Sequence, residues 1–354
     1  MRNSEVRGGV LSPETSSGNR YLTMPDSQPI LEVHDLHVHF KMLAGIVRAV
    51  DGVDFTVERG RCLGIVGESG CGKSVTARSI LRLLPSSDTS GQILYHPDGD
   101  GQPIDLVSLD AKGDAIRAIR GKDIAMIFQE PMTSLTPVYT IGEQIMESIR
   151  QHQNLTEEEA QELAISMLNK VGIPDAERRF ADYPHQMSGG MRQRVMIAIA
   201  LCCEPRILIA DEPTTALDVT IQAQILRLIR SLQQDLDMSV IMITHDLAVI
   251  AQLADFVVVM YLGQMAEKAP VVELFQDPKH PYTQALLRSI VRPDTPPREQ
   301  LHSISGSVPD PRNAPSGCRF RNRCPSVHDR CVEDPPVVEF GPQHTATCWL
   351  YVDD

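Results

Sequence analysis

The chain has 354 residues, a net charge of -13 at pH 7, 42% hydrophobic residues and 22% charged residues. This composition is typical of a globular protein, and the length suits one large α/β domain with an appendage better than one small core. The acidic balance and the lack of any run of Lys or Arg argue against a nucleic-acid-binding protein. Since no stretch approaches about 18 consecutive apolar residues, the sequence predicts no membrane-spanning helix.

The first segment, residues 1–29, is rich in Ser, Pro, Asn and Gly and lacks the apolar region that a secretory signal contains. We therefore expect a disordered tail, and Met24 is an alternative start of translation. The first domain should then begin at residue 30.

Apolar residues are spaced as in strands along residues 31–40 and 50–57, which predicts an antiparallel start to the fold. Phe40 lies 27 residues before a glycine-rich segment that begins at Gly67, where an aromatic ring could stack on an adenine. The spacing alone fits a core phenylalanine equally well.

Residues 67–74 have the sequence Gly-Glu-Ser-Gly-Cys-Gly-Lys-Ser, which fits the phosphate-binding loop pattern. An apolar run at 62–66 predicts a buried strand before the loop, and residues 74–84 predict a helix after it, as the pattern requires. In such a loop the backbone N–H groups and the helix N-terminus surround an anion. A glycine-rich turn that binds nothing is the alternative, and the flanking strand and helix disfavour it.

The residues of this loop have separate roles in binding a nucleotide. The glycines let the backbone approach the phosphates, Lys73 brings a positive charge to the β and γ phosphates, and the Ser74 hydroxyl is placed to bind Mg²⁺. The predicted nucleotide contacts are the loop residues and the residue after them: Gly67, Glu68, Ser69, Gly70, Cys71, Gly72, Lys73, Ser74 and Val75.

Residues 88–113 are rich in Asp, Gly, Ser and Pro, with short apolar pairs between them, and this favours a polar hairpin region. A buried strand is then predicted over 124–128, and it ends at Gln129. The next segment, 130–137, contains two prolines and is predicted to be an ordered loop.

The segment that follows has a helical pattern. Residues 141–171 place apolar side chains on one face, and Thr156 and Glu159 form a capping box at the start of a helix. We therefore expect a small helical subdomain, at about residues 138–200, inserted between two strands of the α/β core.

A second possible phosphate site follows at Ser188-Gly189-Gly190. Residues 191–203 are predicted to form a helix that starts at these residues, so its first N–H groups could bind an anion. An ordinary N-cap with flexible glycines would explain the segment as well.

Two carboxylates end the next apolar strand, which is predicted over 206–210. Asp211 and Glu212 would lie at its carboxyl end, where open α/β sheets bind their ligands. Asp211 would hold Mg²⁺ through water, and Glu212 would act on the attacking water as general base. A helix is predicted over 219–236, and the strand after it ends at His245, which could reach a γ-phosphate. A lone histidine after a strand is more often structural.

These motifs resemble the nucleotide-binding subunit of an ABC transporter over residues 30–268. The matching segments are, in chain order, the phosphate loop at 67–74, the Q-loop Gln129, the signature Ser188-Gly189-Gly190, the Walker B residue Asp211 with Glu212, the D-loop 216–218 and the switch His245. The signature has Met187 before it and Met191 after it, where the commonest form has Leu and Gln. Because the family uses the Ser and the two glycines for the γ-phosphate, we expect the site to stay competent.

The resemblance implies an α/β fold, with a P-loop NTPase core of the ABC cassette type, an antiparallel β subdomain and the inserted helical subdomain. It implies that Phe40 is the adenine-stacking aromatic. It also implies catalytic roles for three residues: Gln129, Glu212 and His245. The implied Mg²⁺ ligands are Ser74, Gln129 and Asp211.

A narrower resemblance is to the oligopeptide/dipeptide importer ATPases, a group that includes nickel importers. It rests on five segments: 129–137, 185–194, 280–287, 309–311 and 317–320. It implies an ATPase that powers import of di- and oligopeptides, and a C-terminal extension at 269–354 that carries a cysteine cluster. The implied partners are a second ATPase subunit that completes a heterodimer, two membrane permeases and an extracytoplasmic solute-binding protein. The implied location is peripheral, on the cytoplasmic face of the inner membrane.

Other classes of ABC ATPase fit less well. A soluble DNA-repair ATPase would need a long coiled coil between Gln129 and Ser188, but 58 residues lie between them and no sustained heptads appear. A translation factor of the ABC type would carry two cassettes, and an exporter would usually be fused to its membrane domain. An importer ATPase is therefore favoured. Import of nickel or another small solute, and a soluble ATPase without a transport role, remain the alternatives.

The eight cysteines form two groups. Four lie inside predicted elements, where we interpret them as small hydrophobic residues in a reducing cytosol: Cys62, Cys71, Cys202 and Cys203. Four crowd the last 37 residues: Cys318, Cys324, Cys331 and Cys348. That segment is rich in Pro and poor in apolar residues, so we expect it to need a cross-link or a bound metal centre to hold its fold.

The sequence leaves open which kind of cross-link or metal centre the four cysteines form. Disulfides are disfavoured because an ATP site faces the cytosol, and zinc usually takes cysteine pairs about two to four residues apart, whereas the gaps here are five, six and sixteen residues. A [4Fe-4S] cluster also takes four thiolates, and some members of the resembled group bind one here. Zinc and free thiols are the alternatives. Arg319, Arg321 and Arg323 would offset the charge of a cluster.

Overall fold

The computed structural model describes residues 28–43, 45–98, 101–129, 134–215, 217–290 and 304–352. Almost all of the predicted tail at 1–29, the loop residues 130–133 and the D-loop residue Ala216 lie outside this described part. Within it the chain forms two β-sheets with helices around them, which confirms the predicted α/β class.

The strands, in chain order, are β1 (Pro29–Met42), β2 (Gly45–Glu58), β3 (Cys62–Val66), β4 (Ser87–Tyr95), β5 (Ile104–Asp105), β6 (Ile124–Ile127), β7 (Ile207–Asp211), β8 (Ser239–Thr244), β9 (Phe256–Tyr261), β10 (Gln264–Pro270), β11 (Val337–Gly341) and β12 (His344–Thr347). The helices are α1 (Lys73–Ile80), α2 (Asp114–Ile119), α3 (Ile141–His152), α4 (Glu157–Lys170), α5 (Ala176–Arg179), α6 (Gly189–Leu201), α7 (Val219–Asp235), α8 (Leu247–Leu253), α9 (Val271–Gln276) and α10 (Pro281–Arg288). Short 3-10 turns lie at Pro184–Gln186, Pro311–Asn313, Asp329–Val332 and Trp349–Tyr351.

The larger sheet has the strand order β11-β12-β10-β9-β3-β8-β7-β6. Its strands β9, β3, β8, β7 and β6 are parallel. Parallel strands that are covered on both faces have continuous apolar sequences, and β3, β7 and β8 are buried along their whole length. The core strands predicted from such runs are therefore confirmed.

The smaller sheet is antiparallel, with the order β2-β1-β4-β5. It contains the predicted antiparallel start of the fold, strands β1 and β2, in which Val33 pairs with Phe55 and Phe40 pairs with Val47. The prediction of a polar hairpin over 88–113 is incomplete, because β4 is a long strand that also pairs with β1. Its first six residues are Gly or polar residues that alternate between half-buried and exposed, while Ile93 and Tyr95 are buried, so the strand has a weak hydrophobic signal in the sequence.

Helix α1 is shorter than predicted. It ends at Ile80 instead of residue 84, because Arg82 adopts a left-handed backbone conformation with φ of 53°. The predicted helix over 219–236 is confirmed as α7, where the Asp218 side chain accepts a hydrogen bond from the backbone N–H of Ile221. Such an N-cap stabilises a helix by about 1 kcal/mol.

Helices α3 to α6 lie between β6 and β7 in the chain and form the inserted helical part. The helical stretch predicted over 141–171 is two helices, each of which begins with a capping box. The box of Thr156 and Glu159 was predicted, and the box of Thr140 and Glu143 has the same signature. The helix predicted over 191–203 begins two residues earlier, at Gly189, with Ser188 as its N-cap.

The core has two layers, one on each side of the larger sheet. Alternate residues of β3 point to opposite faces, so Leu63 and Ile65 pack with the antiparallel sheet while Cys62 and Val66 pack with the helices. Helix α8 approaches β3 closely at Gly64, where a Cβ atom would lie 2.6 Å from Cδ1 of Ile250.

The C-terminal extension continues the larger sheet. Strand β12 pairs with β10 through Glu267 and Ala346, and the proposed domain boundary after residue 268 therefore falls within β10. The buried carboxylate of Glu267 accepts hydrogen bonds from the backbone N–H of His280 and from Nε2 of His344, at 2.9 and 2.8 Å. Among the described residues, no helix has the length and apolar character needed to cross a membrane.

Candidate nucleotide site

The predicted phosphate-binding loop connects β3 to α1, as its sequence pattern requires. At Gly67 (φ 154°) a Cβ atom would lie 2.2 Å from the backbone oxygen of Met260, and at Gly72 (φ 104°) it would lie 2.3 Å from that of Ala49. Only glycine fits at these two positions, because both the backbone conformation and the space exclude a side chain. The loop therefore has a shape that other residues could not adopt.

Lys73 is 5% exposed and lies over the interior of this loop. Its Nζ donates hydrogen bonds to the backbone oxygens of Gly67, at 2.7 Å, and Glu68, at 3.1 Å. Its Nζ also lies 3.9 Å from Sγ of Cys71. A buried ammonium whose contacts here are all with uncharged acceptors is well placed to bind an anion. The placement agrees with the predicted role at the phosphates.

Ser74 and Asp211, two of the three predicted Mg²⁺ ligands, are in direct contact. The Ser74 hydroxyl donates a hydrogen bond of 2.8 Å to Oδ1 of Asp211. Oδ2 of Asp211 is buried and has no hydrogen-bond partner among the described residues. Burial raises the pKa of this carboxyl group. A hydroxyl beside an unsatisfied buried carboxylate oxygen fits a hard divalent cation, which would satisfy that oxygen.

Glu212 is held by the other predicted catalytic residues. Its Oε1 lies 3.2 Å from Nδ1 of His245, and its Oε2 accepts a hydrogen bond of 3.1 Å from Nε2 of Gln129. Thr215, which sequence reasoning did not select, donates a further hydrogen bond of 2.9 Å to Oε2. The backbone of Glu212 has φ of 48°, a strained value for a residue with a side chain.

The electrostatics of Glu212 favour its charged form. Burial is the largest influence and raises the pKa, but the hydrogen bonds from His245 and Thr215 and the charge of Lys73 together outweigh it, so the pKa is lowered. A carboxylate that stays ionised can accept a proton from water. The arrangement is therefore chemically suited to a general base.

A cavity of about 240 Å³ lies in front of these groups. Besides the loop residues, Gln129 and Glu212, its walls contain residues that the sequence did not suggest: Val47, Arg48, Ala49, Leu262, Gly263 and Pro311. Phe40 is the ladder partner of Val47 and is partly buried against the core. Its predicted stacking on adenine stays a prediction.

The segment Ser188-Gly189-Gly190 does not line this cavity in the described structure. Ser188 caps α6, and Gly190 packs against α7, where a Cβ atom would lie 3.0 Å from Ile221. The chain therefore does not bring its own second candidate phosphate site to its phosphate-binding loop.

The four late cysteines converge in the C-terminal extension. None forms a disulfide, the backbone N–H of Cys318 donates to the oxygen of Cys331 at 3.1 Å, and burial raises the pKa of Cys348 to about 11, with further contributions from the other three thiols. No three of the sulfur atoms lie within 4.8 Å of one another. The arrangement is thus more open than the tetrahedral cage of zinc, whose Zn–S bonds are about 2.3 Å.

A compact group of His37, His39 and Asp51 lies elsewhere, where the extension meets the antiparallel sheet. The two imidazoles lie 3.1 and 3.3 Å from Oδ1 of Asp51, and Arg319 binds Oδ2 at 2.5 Å. Burial raises the pKa of this carboxyl group, but the histidine hydrogen bonds and the charge of Arg319 lower it further than burial raises it. The Arg319 guanidinium already balances the charge of the Asp51 carboxylate, so we interpret the group as a structural contact that joins the extension to the antiparallel sheet.

The fold and this site define an ATP-binding cassette, with a phosphate-binding loop, a paired carboxylate motif and an inserted helical part around the parallel strands of the larger sheet. The chain belongs to the ABC transporter family, whose profile matches residues 50–215. The profile described as "Oligopeptide/dipeptide transporter, C-terminal region" matches residues 266–331. The chain is accordingly an ATP-binding subunit of this family, and its activity is ATP hydrolysis.

Similar proteins cover almost the whole chain. The dipeptide transport ATP-binding protein DppD of Bacillus subtilis is 50% identical over 329 residues, which are 91% of this chain and 95% of that protein. The oligopeptide transport ATP-binding protein AppD of the same organism is 48% identical over 326 residues, 92% and 98% of the two chains. The probable peptide ABC transporter ATP-binding protein y4tR of Sinorhizobium fredii is 49% identical over 334 residues, 93% and 97% of the two chains.

Solved structures agree with this fold. The cassette MJ0796, in a dimeric post-hydrolysis state bound to ADP and Pi, has a TM-score of 0.59 and 27% identity and covers 68% of this chain and 98% of its own. The cbiO1 protein of Clostridium perfringens, part of an ABC transporter complex, has a TM-score of 0.59 and 28% identity and covers 71% of this chain and 92% of its own.

Proposed function

We propose that the chain is the ATP-hydrolysing subunit that powers import of di- and oligopeptides through partner permeases. The convergence of Gln129, Glu212 and His245 supports the hydrolytic part of this proposal. The peptide part is supported by the C-terminal region at 266–331 and by relatives whose names specify peptide transport. Import of nickel or another small solute is the second candidate, because the narrower resemblance includes nickel importers.

The chemistry follows from the positions of the site residues. Lys73 would bind the β and γ phosphates, and Ser74 and Asp211 would hold Mg²⁺, which would supply positive charge to neutralise the phosphates. Glu212 accepts the proton of the attacking water. Gln129 presents its amide nitrogen to Glu212, so its amide oxygen is the atom suited to Mg²⁺. His245, on the other carboxylate oxygen, is placed to contact the transition state.

The partner is a second ATPase subunit. Because Ser188-Gly189-Gly190 is absent from the walls of this chain's own cavity, it would complete a site on another chain, and two bound ATP molecules would join the pair. We propose a heterodimer beneath two permeases, on the cytoplasmic face of the cell membrane, supplied by an extracytoplasmic binding protein. Gln129 would relay closure to the permeases through the loop that follows it.

The four late cysteines are proposed to hold a [4Fe-4S] cluster. Their convergence without disulfides, with no three sulfur atoms within 4.8 Å of one another, supports this over zinc. The sequence predicted that three arginines would offset the charge of the cluster. Two of them form ion pairs elsewhere, Arg319 with Asp51 and Arg323 with Glu68, so their charges are already balanced. Anaerobic purification, iron and sulfide assays and the charge-transfer absorbance test the proposal. A colourless, iron-free and folded protein would contradict it, as would unchanged iron in a Cys318→Ser plus Cys348→Ser variant.

Transport assays test which solute is imported. In vesicles that contain this chain, its second ATPase subunit and its cognate permeases, di- and oligopeptides with their binding protein should raise ATP hydrolysis and accumulate inside. Nickel should do neither. Stimulation by nickel and not by peptides would replace the proposed solute with the second candidate.

A further inference from the structure

The side chain of Glu68 points from the phosphate-binding loop into the C-terminal extension. Both of its carboxylate oxygens are bound by one guanidinium: Nη1 of Arg323 lies 2.6 Å from Oε2, and Nη2 lies 3.1 Å from Oε1. The Arg323 side chain is 4% exposed. A two-pronged, nearly buried pair of this kind is among the stronger polar contacts in proteins, and it has a defined geometry.

Arg323 is itself fixed by its surroundings. Its Nε donates a hydrogen bond of 3.0 Å to the backbone oxygen of Ser305, and its Nη1 donates one of 3.3 Å to the hydroxyl of Tyr261. The guanidinium carbon lies 5.8 Å from the centre of the Tyr261 ring. The guanidinium therefore has little freedom to follow Glu68, and Glu68 must adapt to it.

A second residue of the extension holds the backbone of the same loop position. The N–H of Glu68 donates a hydrogen bond of 2.9 Å to the hydroxyl of Tyr282. Tyr282 is fully buried, and its ring packs against Tyr261 and Phe320 at centroid distances of 4.7 and 5.3 Å. Phe320 lies between two of the clustered cysteines in sequence, so the aromatic group is part of the cysteine-bearing segment.

Three groups of Glu68 are thus fixed: the carboxylate by Arg323, the N–H by Tyr282 and the carbonyl oxygen by Lys73 at 3.1 Å. A carboxylate in a loop that binds a polyanion would repel the phosphates if it were free. The pairing both neutralises this charge and holds it away from the loop interior. The same contacts fix the direction of the peptide groups on either side of Glu68.

We propose that Arg323 and Tyr282 are positioning residues for ATP, acting through Glu68, and that the C-terminal extension is thereby part of the nucleotide-binding machinery. Arg323 is directly followed by Cys324. The conformation of the cysteine-bearing segment therefore sets the position of the Arg323 guanidinium. The affinity of the cassette for nucleotide then depends on an intact C-terminal extension, although that extension is far from the phosphate-binding loop in sequence.

Equilibrium binding to the full-length chain tests the proposal, with a fluorescent ATP analogue and Mg²⁺. Arg323→Met should raise Kd about tenfold, because the freed carboxylate of Glu68 would repel the phosphates. Arg321→Met is the matched control, because Arg321 lies on the same segment and its side chain contacts the Ser316 hydroxyl at 3.2 Å, away from the loop. It should bind with the wild-type Kd, and wild-type binding by Arg323→Met as well would overturn the proposal.

A double variant separates positioning from a general structural effect. In Glu68→Gln with Arg323→Met the unpaired carboxylate is gone, so most of the lost affinity should return, to within about threefold of the wild-type Kd. A Kd as weak as that of Arg323→Met alone would show that Arg323 does not act through Glu68. The melting temperature of each variant is measured beside its Kd, because a purely structural role would move the two together.

Tyr282→Phe tests the backbone contact and keeps the test available if Arg323→Met fails to fold. The substitution removes only the hydroxyl, so the aromatic packing stays while the Glu68 N–H loses its acceptor. We expect Kd to rise about threefold to tenfold with little change in melting temperature. An unchanged Kd in this folded variant would count against the proposal by itself.

Discussion

Nδ1 of His245 lies 3.2 Å from one carboxylate oxygen of Glu212, and the amide of Gln129 lies 3.1 Å from the other. His245 directly follows β8, and Gln129 lies two residues beyond the end of β6. The edge of the parallel sheet therefore brings the residues together, since parallel strands deliver their carboxyl ends to one side. Glu212 is oriented by two strands besides its own.

Glu212→Gln should nearly abolish hydrolysis while ATP binding survives. A positioned general base contributes about 10²- to 10⁴-fold to the rate, and the amide cannot accept the proton. The closed dimer should accumulate, because binding is intact and release depends on hydrolysis. Phosphate release by the reconstituted transporter measures the loss, and a wild-type rate would exclude Glu212 as the base.

The pH dependence of hydrolysis should respond to Thr215→Val. The Thr215 hydrogen bond is one of the contacts that lower the pKa of Glu212, so its loss should raise that pKa. Since the base acts when ionised, the acid limb of the kcat/KM profile should move to higher pH in the variant. An acid limb that stays in place, or moves to lower pH, would show that Glu212 does not control it.

Lys73→Ala should weaken nucleotide binding itself, in contrast to Glu212→Gln. Each charge-assisted contact to phosphate is worth about 1.5 to 3 kcal/mol, which corresponds to roughly tenfold to a hundredfold in Kd. Titration with a fluorescent ATP analogue measures the effect. Equal weakening in both variants would mean that the two residues do not have separate roles.

The isolated chain should hydrolyse ATP slowly and respond to its partner subunit. Adding the second ATPase and the permeases should raise the rate, and Ser188→Arg should block the site on the partner while leaving nucleotide binding by this chain intact. Full peptide-stimulated activity with the permeases but without the second ATPase would indicate a homodimer and would contradict the proposed heterodimer.

Local chemistry explains what sequence reasoning could reach. The phosphate-binding loop at 67–74, the pair Asp211 and Glu212 and the capping box of Thr156 and Glu159 are each contiguous or one helical turn long. Their spacing alone determines the backbone conformation or hydrogen bonds that they can form. The buried parallel strands were equally accessible, because full burial requires unbroken apolar runs.

Long-range contacts escaped the sequence because no local pattern encodes them. Arg323 and Glu68 are separated by 255 positions, and the pairing of β12 with β10 depends on the path of the whole chain. The Thr215 contact is local, three residues from Glu212, and it was overlooked because a threonine in a turn is ordinary and does not by itself indicate a hydrogen bond to a catalytic carboxylate. The sequence by itself determined that an ATP-binding cassette is present. Only the tertiary structure decided that its phosphate-binding loop is held by the C-terminal extension. Ion pairs and strand pairs form between residues that are close in space, and sequence separation does not reveal which residues those are.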